Sequence, residues 1–192
     1  MTGTAGLLLL TGGSGRRLGG PKHRLPHPAG GTWGGHLVRV FEAVFPGGPV
    51  RVLGEPLPDR PGLPRVEDPR QGPAAALIAW AAQERAFPRR WWAVPCDQVR
   101  WDREALQAWH AAAEAADPEG GAWVVAEGEV HRQWLGGFLG GSLLPALAAR
   151  EARSLHALAG TLPGVALAWP GPWWSDVDTP EALAAWMDAH PG

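Results

Sequence analysis

Short runs of continuous apolar residues alternate along this chain with stretches whose apolar positions recur at helical spacing. Residues 5 to 10 (AGLLLL) are apolar or small throughout and give way to glycine, the pattern of a strand buried on both faces. From Trp33 to Phe45 the apolar positions 33, 37, 38, 40, 41, 44 and 45 predict a helix, which Pro46 and Gly47 stop. Residues 50 to 53 (VRVL) read as a second strand. Residues 54 to 72, rich in proline and glycine, read mostly as loop, with a short extended piece near Arg65 and Val66. An alanine-rich helix spans 73 to 86, with Pro73 suited to its first turn. A buried strand follows at 91 to 95 and ends at Cys96 and Asp97. A third helix covers 102 to 116, with Asp102 as its cap.

The second half continues the alternation. Residues 122 to 127 (AWVVAE) form a strand, and 130 to 138 pair with it as a hairpin across Gly128. Helices at 142 to 150 and 154 to 160, a strand at 165 to 169, an extended piece at 173 to 177 and a helix at 180 to 190 complete the reading. The pattern predicts an α/β fold, a Rossmann-like three-layer sandwich with a mostly parallel sheet and helices on both faces. No linker or repeat divides residues 1 to 192, so one domain is expected.

Composition narrows the classes of partner. The formal charge is −2, so no broad basic field exists to hold nucleic acid or an anionic membrane surface. The early "LLLL" run is too short to span a bilayer, and the one cysteine, Cys96, has no internal partner. A cytoplasmic protein is expected. The chain lacks asparagine and tyrosine but holds twelve tryptophans, read mostly as core, with Trp173 and Trp174 as candidates for the wall of an aromatic ligand site. Lysine occurs once, as Lys22, against sixteen arginines. A lysine where arginine is otherwise preferred suits a compact charge that reaches a phosphate without a planar fork to orient.

That lysine closes "TGGSGRRLGGPK", residues 11 to 22, the loop that follows the first strand. Glycines let main-chain N–H groups converge on an anion, and Arg16, Arg17 and Lys22 bring neutralising charge. Three known patterns fail here. A P-loop needs Ser or Thr after Gly-Lys, the dinucleotide pattern meets Leu18 at its last glycine, and a nucleophile elbow centred on Ser14 meets Arg16. In parallel sheets ligands bind outside the carboxyl ends of the strands, which is where the first strand delivers this loop and the "WWAVP" strand delivers Asp97. A carboxylate at the end of an apolar strand calls for a cationic partner, and phosphate-bound Mg²⁺ is one. In "SDVDTPEAL", residues 175 to 183, Asp176 and Asp178 fall on one side of an extended segment and suit a second carboxylate ligand. Asp178 or Thr179 before Pro180 and Glu181 also fits an ordinary helix start. Gln71, Gly72 and Pro73 open a helix whose free N–H groups suit an anion or a base edge, or simply close packing. Cys96 reads as a small buried residue, and His131 as a hairpin residue near Arg132.

Together these pieces resemble the molybdenum cofactor guanylyltransferase family, the MobA-like nucleotidyltransferases. The family motif L-A-G-G-x-x-x-R-M-G-x-D-K is met by Leu10, Thr11, Gly12, Gly13, three spacers, Arg17, Leu18, Gly19, Gly20, Pro21 and Lys22. A Gly-Pro-(small)₃-Leu helix start at Gly72 to Leu77, a strand ending in Cys96 and Asp97, and an N-x-N-T-P-E-x-L ending at Asp176 to Leu183 follow in family order. Pro21 stands where the family has an acid, and Asp176 and Asp178 stand where it has asparagines. The resemblance implies Mg²⁺-dependent transfer of GMP from GTP to molybdopterin with release of pyrophosphate, and contact with other molybdenum cofactor biosynthesis proteins. It places Leu10, Thr11, Gly12 and Gly13 along the base and sugar, with Asp68 and Gly72 on the same nucleotide-binding side. Lys22 would lie on the phosphates, Arg17, Lys22 and Asp97 at the reacting centre, and Asp97 with Asp178 on the metal.

Overall fold

The computed structural model describes residues 5–12, 15–86, 88–128, 132–168, 171, 173, 175–177 and 179–189. Gly13, Ser14, His131, Trp174 and Asp178 lie outside them. Strand β1 (Ala5–Leu10) is buried at every position and lies inside a seven-stranded sheet. It pairs in parallel with β2 (Val50–Leu53) on one side and β4 (Arg90–Pro95) on the other. Strand β3 (Arg65–Val66) continues the sheet beyond β2. On the other side β6 (Arg132–Gly140) runs antiparallel to both β4 and β5 (Trp123–Glu127). Strand β7 (Gly164–Ala168) then pairs in parallel with β5. The order is β3-β2-β1-β4-β6-β5-β7, the α/β architecture expected from the alternation of elements.

Two apolar layers cover the sheet. Helices α1 (Trp33–Val44) and α3 (Arg103–Ala116) pack with Leu7, Leu9, Trp92 and Val94 on one face. Helix α2 (Pro73–Gln83) and the short helices α4 (Leu144–Ala148) and α5 (Leu155–Ala159) pack with Leu8, Leu10, Trp91 and Trp123 on the other. The strict alternation of β1 side chains between these layers explains why the strand is apolar throughout. Trp80, Trp91, Trp92, Trp109 and Trp123 are at most 1% exposed, as the reading of the tryptophans as core anticipated. Trp173 is half-buried and packs against Trp101 and the α1/α3 layer.

Helix starts follow local chemistry. Thr32 Oγ1 accepts from Gly35 N at 3.0 Å and Asp102 Oδ1 accepts from Ala105 N at 2.7 Å, capping α1 and α3. Thr179 Oγ1 accepts from Ala182 N at 3.2 Å at the start of α6 (Pro180–Ala189). Helix α2 stops at Gln83, three residues earlier than the sequence pattern predicts. The Glu84 carboxylate accepts from Arg85 N at 2.9 Å and Ala86 N at 2.7 Å, drawing the chain out of the helix. The helix expected at 142 to 150 begins instead as a 3-10 turn, Gly141–Leu143, before the five residues of α4. A third apolar cluster joins Trp33, Val99, Val177 and Trp186 with Leu18 and Leu25, so α6 rests on the glycine-rich loop and the start of α1.

Candidate functional site

The carboxyl ends of the central strands are level. Leu10 is in register with Leu53 and with Pro95, Thr11 N donates to Leu53 O at 3.0 Å, and Cys96 N donates to Leu10 O at 3.0 Å. The segments that leave β1, β2 and β4 therefore start on one edge, as the sequence predicts for those after β1 and β4.

The glycine-rich segment is folded rather than loose. Gly15 adopts φ +56°, and its carbonyl accepts from Leu18 N at 2.9 Å and Gly20 N at 3.2 Å. A side chain at Gly15 would collide with the Gly20 carbonyl, so both the dihedral and the space require glycine. Arg16–Leu18 and Lys22–Arg24 form 3-10 turns. Pro21, with φ −59°, leads into the second turn, whose bonds Arg24 N to Pro21 O and Leu25 N to Lys22 O are both 3.0 Å. Arg17 is exposed in the first turn.

The second turn brings Lys22 to Asp97. Lys22 Nζ donates to Asp97 Oδ2 at 2.7 Å across 75 residues of chain, with the two side chains 20% and 19% exposed. The other carboxylate oxygen, Asp97 Oδ1, is buried and has no hydrogen-bond partner among the described residues. Such an orphan acceptor is costly unless something cationic or donating meets it. The C-terminal segment reaches the same point: Val177 N donates to Asp97 O at 3.0 Å, and Gln133 Nε2 donates to Asp176 Oδ1 at 3.4 Å. Cys96 is buried, and that burial, with the Asp97 charge, pushes its thiol well above the ordinary range, which disfavours a thiolate.

A second group lies where β1 and β2 end. Thr11 is buried, and its hydroxyl donates to Glu55 O at 2.8 Å with Leu53 O also in reach at 3.2 Å. Gly12 is exposed, and a Cβ there would fall 2.7 Å from Asp68 Oδ2, so the missing side chain is what lets the Asp68 carboxylate approach. Asp68 Oδ1 accepts from Arg70 N at 2.8 Å, in a turn that holds Arg70 at φ +59°. Gly72 precedes α2 with φ +94°. Leu10 contributes main chain only, since its side chain is packed in the core. The structure thus gathers Lys22 with Asp97, and Thr11 and Gly12 with Asp68. Gly72 lies further along the same loop, and Gly13 and Asp178 are outside the described residues.

Two residues here escaped sequence reasoning. His23, next to Lys22, is fully buried; burial and the Arg24 charge hold its imidazole below its ordinary range, favouring the neutral ring. Gln98, next to Asp97, is also fully buried. The only signal for either was adjacency to a residue already singled out.

A Rossmann-like sheet whose first strand feeds a glycine-rich turn opposite a carboxylate defines a nucleotide-handling α/β class. Within it, the family model described as the MobA-like NTP transferase domain matches residues 7–165, and the chain belongs to that family. Solved structures agree on the fold. Rv0371c from Mycobacterium tuberculosis H37Rv, in complex with manganese, is 18% identical with a TM-score of 0.65, covering 98% of this chain and 100% of that one. Molybdopterin-guanine dinucleotide biosynthesis protein A from Archaeoglobus fulgidus is 14% identical with a TM-score of 0.69, covering 96% and 97%. The 2-C-methyl-D-erythritol 4-phosphate cytidylyltransferase of Thermus thermophilus is 15% identical with a TM-score of 0.63, covering 93% and 95%. No curated protein sequence matches the chain. Among the described residues no helix is long and apolar enough to cross a membrane.

Proposed function

We propose that this protein is a Mg²⁺-dependent nucleotidyltransferase that moves GMP from GTP to molybdopterin and releases pyrophosphate. The observation that carries the proposal is the Lys22–Asp97 pair at the carboxyl edge, with one carboxylate oxygen bound to the ammonium and the other buried and unpartnered. The donor set fits magnesium. Mg²⁺ typically takes one or two carboxylates together with phosphate oxygens and water. Asp97 Oδ1 would supply one such ligand, and Asp178 a second. When bound, the ion would neutralise charge on the triphosphate and orient it.

The chain's own residues do the rest. The main chain of Leu10, Thr11, Gly12 and Gly13 lines the base and sugar, with Asp68 as the acidic group beside Gly12 and Gly72 opening the helix on that side. Lys22, with Arg17, neutralises the phosphates. A phosphate oxygen of the acceptor attacks the α-phosphorus, the bond from that phosphorus to the oxygen bridging to the β-phosphorus breaks, and pyrophosphate leaves with the electron pair. The attacking oxygen is already ionised, so positioning and charge neutralisation carry the rate without a general base. Pro21, in place of the acid found in the family motif, still delivers Lys22 to Asp97.

The test is pyrophosphate release by purified protein with molybdopterin, magnesium and each of GTP, CTP and ATP. Release with GTP that chelator abolishes is expected. Preference for CTP would replace the donor while keeping the chemistry. GTP binding without release for any acceptor would overturn the transferase reading in favour of a nucleotide-binding module.

A further inference from the structure

A ring of contacts closes behind Asp97. The neighbouring Gln98 turns its side chain inward, where Nε2 donates to Leu135 O at 3.2 Å and Oε1 accepts from Trp101 Nε1 at 3.4 Å. A buried amide is tolerable only with such partners, so these bonds fix which way the turn faces. The next residue of β6, Gly136, adopts φ +89°, and its carbonyl accepts from both Trp92 Nε1 and Trp109 Nε1 at 3.0 Å each. A Cβ at Gly136 would overlap the Gln98 amide. The same stretch of β6 carries Gln133, which reaches Asp176, and the following residue, Val177, donates back to the Asp97 carbonyl. The ring runs from Asp97 through Gln98 into β6 and returns through the C-terminal segment.

We propose that Gln98 is a positioning residue that locks the Asp97 turn to the Leu135–Gly136 stretch of β6 and so fixes the unpartnered Asp97 oxygen relative to Lys22 and the Gln133–Asp176 side. The proposal rests on the reading of Asp97 as the ion-holding carboxylate. Partners that orient a ligand from behind govern metal affinity without touching the metal. Gln98 would act one step further back, through the main chain it shares with Asp97: its side chain is bonded to Leu135 and Trp101 in the core while the Asp97 carboxylate faces Lys22.

The test is a Mn²⁺ titration by calorimetry in the presence of GTP, on wild type, Gln98→Met, Gly136→Ala and Trp101→Phe, with GTP binding in chelator measured beside it. Methionine keeps the length of glutamine and lacks its bonds. Mn²⁺ affinity in Gln98→Met is expected to fall about tenfold, with GTP affinity in chelator unchanged. Gly136→Ala, which pushes the same amide from the other side, should repeat that loss, and Trp101→Phe should show a smaller loss of the same kind. Wild-type Mn²⁺ affinity in every folded variant would overturn the proposal, as would an equal loss of GTP affinity in chelator, which marks general loosening. Wild type that binds GTP but no Mn²⁺ would instead overturn the reading of Asp97 itself.

Discussion

Two of the molecule's ion pairs, Arg51–Glu84 and Lys22–Asp97, differ in what they leave undone. The Arg51–Glu84 pair is closed: Arg51 Nε and Nη2 meet the two carboxylate oxygens at 2.8 and 3.0 Å, and Trp80 Nε1, Arg85 N and Ala86 N occupy the remaining acceptor sites. The Lys22–Asp97 pair is open, with one oxygen bonded and the other buried without a partner among the described residues. A carboxylate with every lone pair used is a structural staple, whereas one with a free oxygen at a strand end has capacity for a ligand. Charge alone would not separate the two; counting partners does.

The largest expected effect breaks the closed pair. The Glu84 side chain is 2% exposed, so Glu84→Ala leaves the Arg51 guanidinium and three N–H donors without their acceptor. Unfolding free energy should drop by about 3 to 5 kcal/mol, read as a melting temperature lower by about 10 °C, while the GTP affinity of the folded protein holds. The same carboxyl gives the molecule an acid limit. Burial would raise it, but the bonds from Ala86, Arg51 and Arg85 and the Arg51 charge outweigh burial and hold it below the ordinary glutamate range. A depressed folded value means that its stabilisation is complete above the unfolded value and is lost as pH falls through the folded one. Urea midpoints measured from neutral to acid pH should therefore decline, with a shallower decline in Glu84→Gln.

Breaking the open pair should have the opposite signature. Asp97→Asn keeps an oxygen for Lys22 and loses the charge, so stability should shift by less than about 1 kcal/mol. Magnesium-dependent turnover should fall by about a hundredfold or more, the scale of several kcal/mol of lost charge stabilisation. An unaltered Mg²⁺ titration would contradict the assignment. Lys22→Ala is the milder cut, weakening triphosphate binding or transfer by about 1 to 3 kcal/mol. Unchanged affinity and turnover would remove Lys22 from the site.

The setting of the open pair was legible in the sequence because its two halves leave neighbouring strand ends. Periodicity identifies β1 and β4, and a parallel sheet puts their carboxyl ends together, which places the glycine-rich loop and Asp97 on one edge; the direct bond between Lys22 and Asp97 is a finding of the structure, since the sequence points Lys22 at phosphate and Asp97 at the metal. The closed pair was not legible: Arg51 and Glu84 lie 33 residues apart on a strand and a helix end, with no motif linking them. For the same reason the α2 boundary was set three residues too late, since the side-chain bonds that end the helix depend on where the Glu84 carboxylate lies. The turns inside the glycine-rich segment were hidden because they rest on main-chain bonds to the Gly15 carbonyl, and loop composition carries no signal for those. Gln98 escaped notice because a polar residue after Asp97 reads as surface until the path of β6 is known.

The smallest effect sharpens the comparison closest to the site. Asp102 follows Asp97 by five residues, but its Oδ1 accepts from Ala105 N at 2.7 Å as the cap of α3. It belongs with Glu84 in kind, a carboxylate committed to main-chain donors, though it is exposed and so far less costly to remove. Asp102→Ala should lower stability by about 1 kcal/mol in urea denaturation and leave Mn²⁺ affinity in the presence of GTP as in wild type. A loss of Mn²⁺ affinity as large as that in Asp97→Asn would mean that distance along the chain, rather than the free oxygen, decides which aspartate serves the ion.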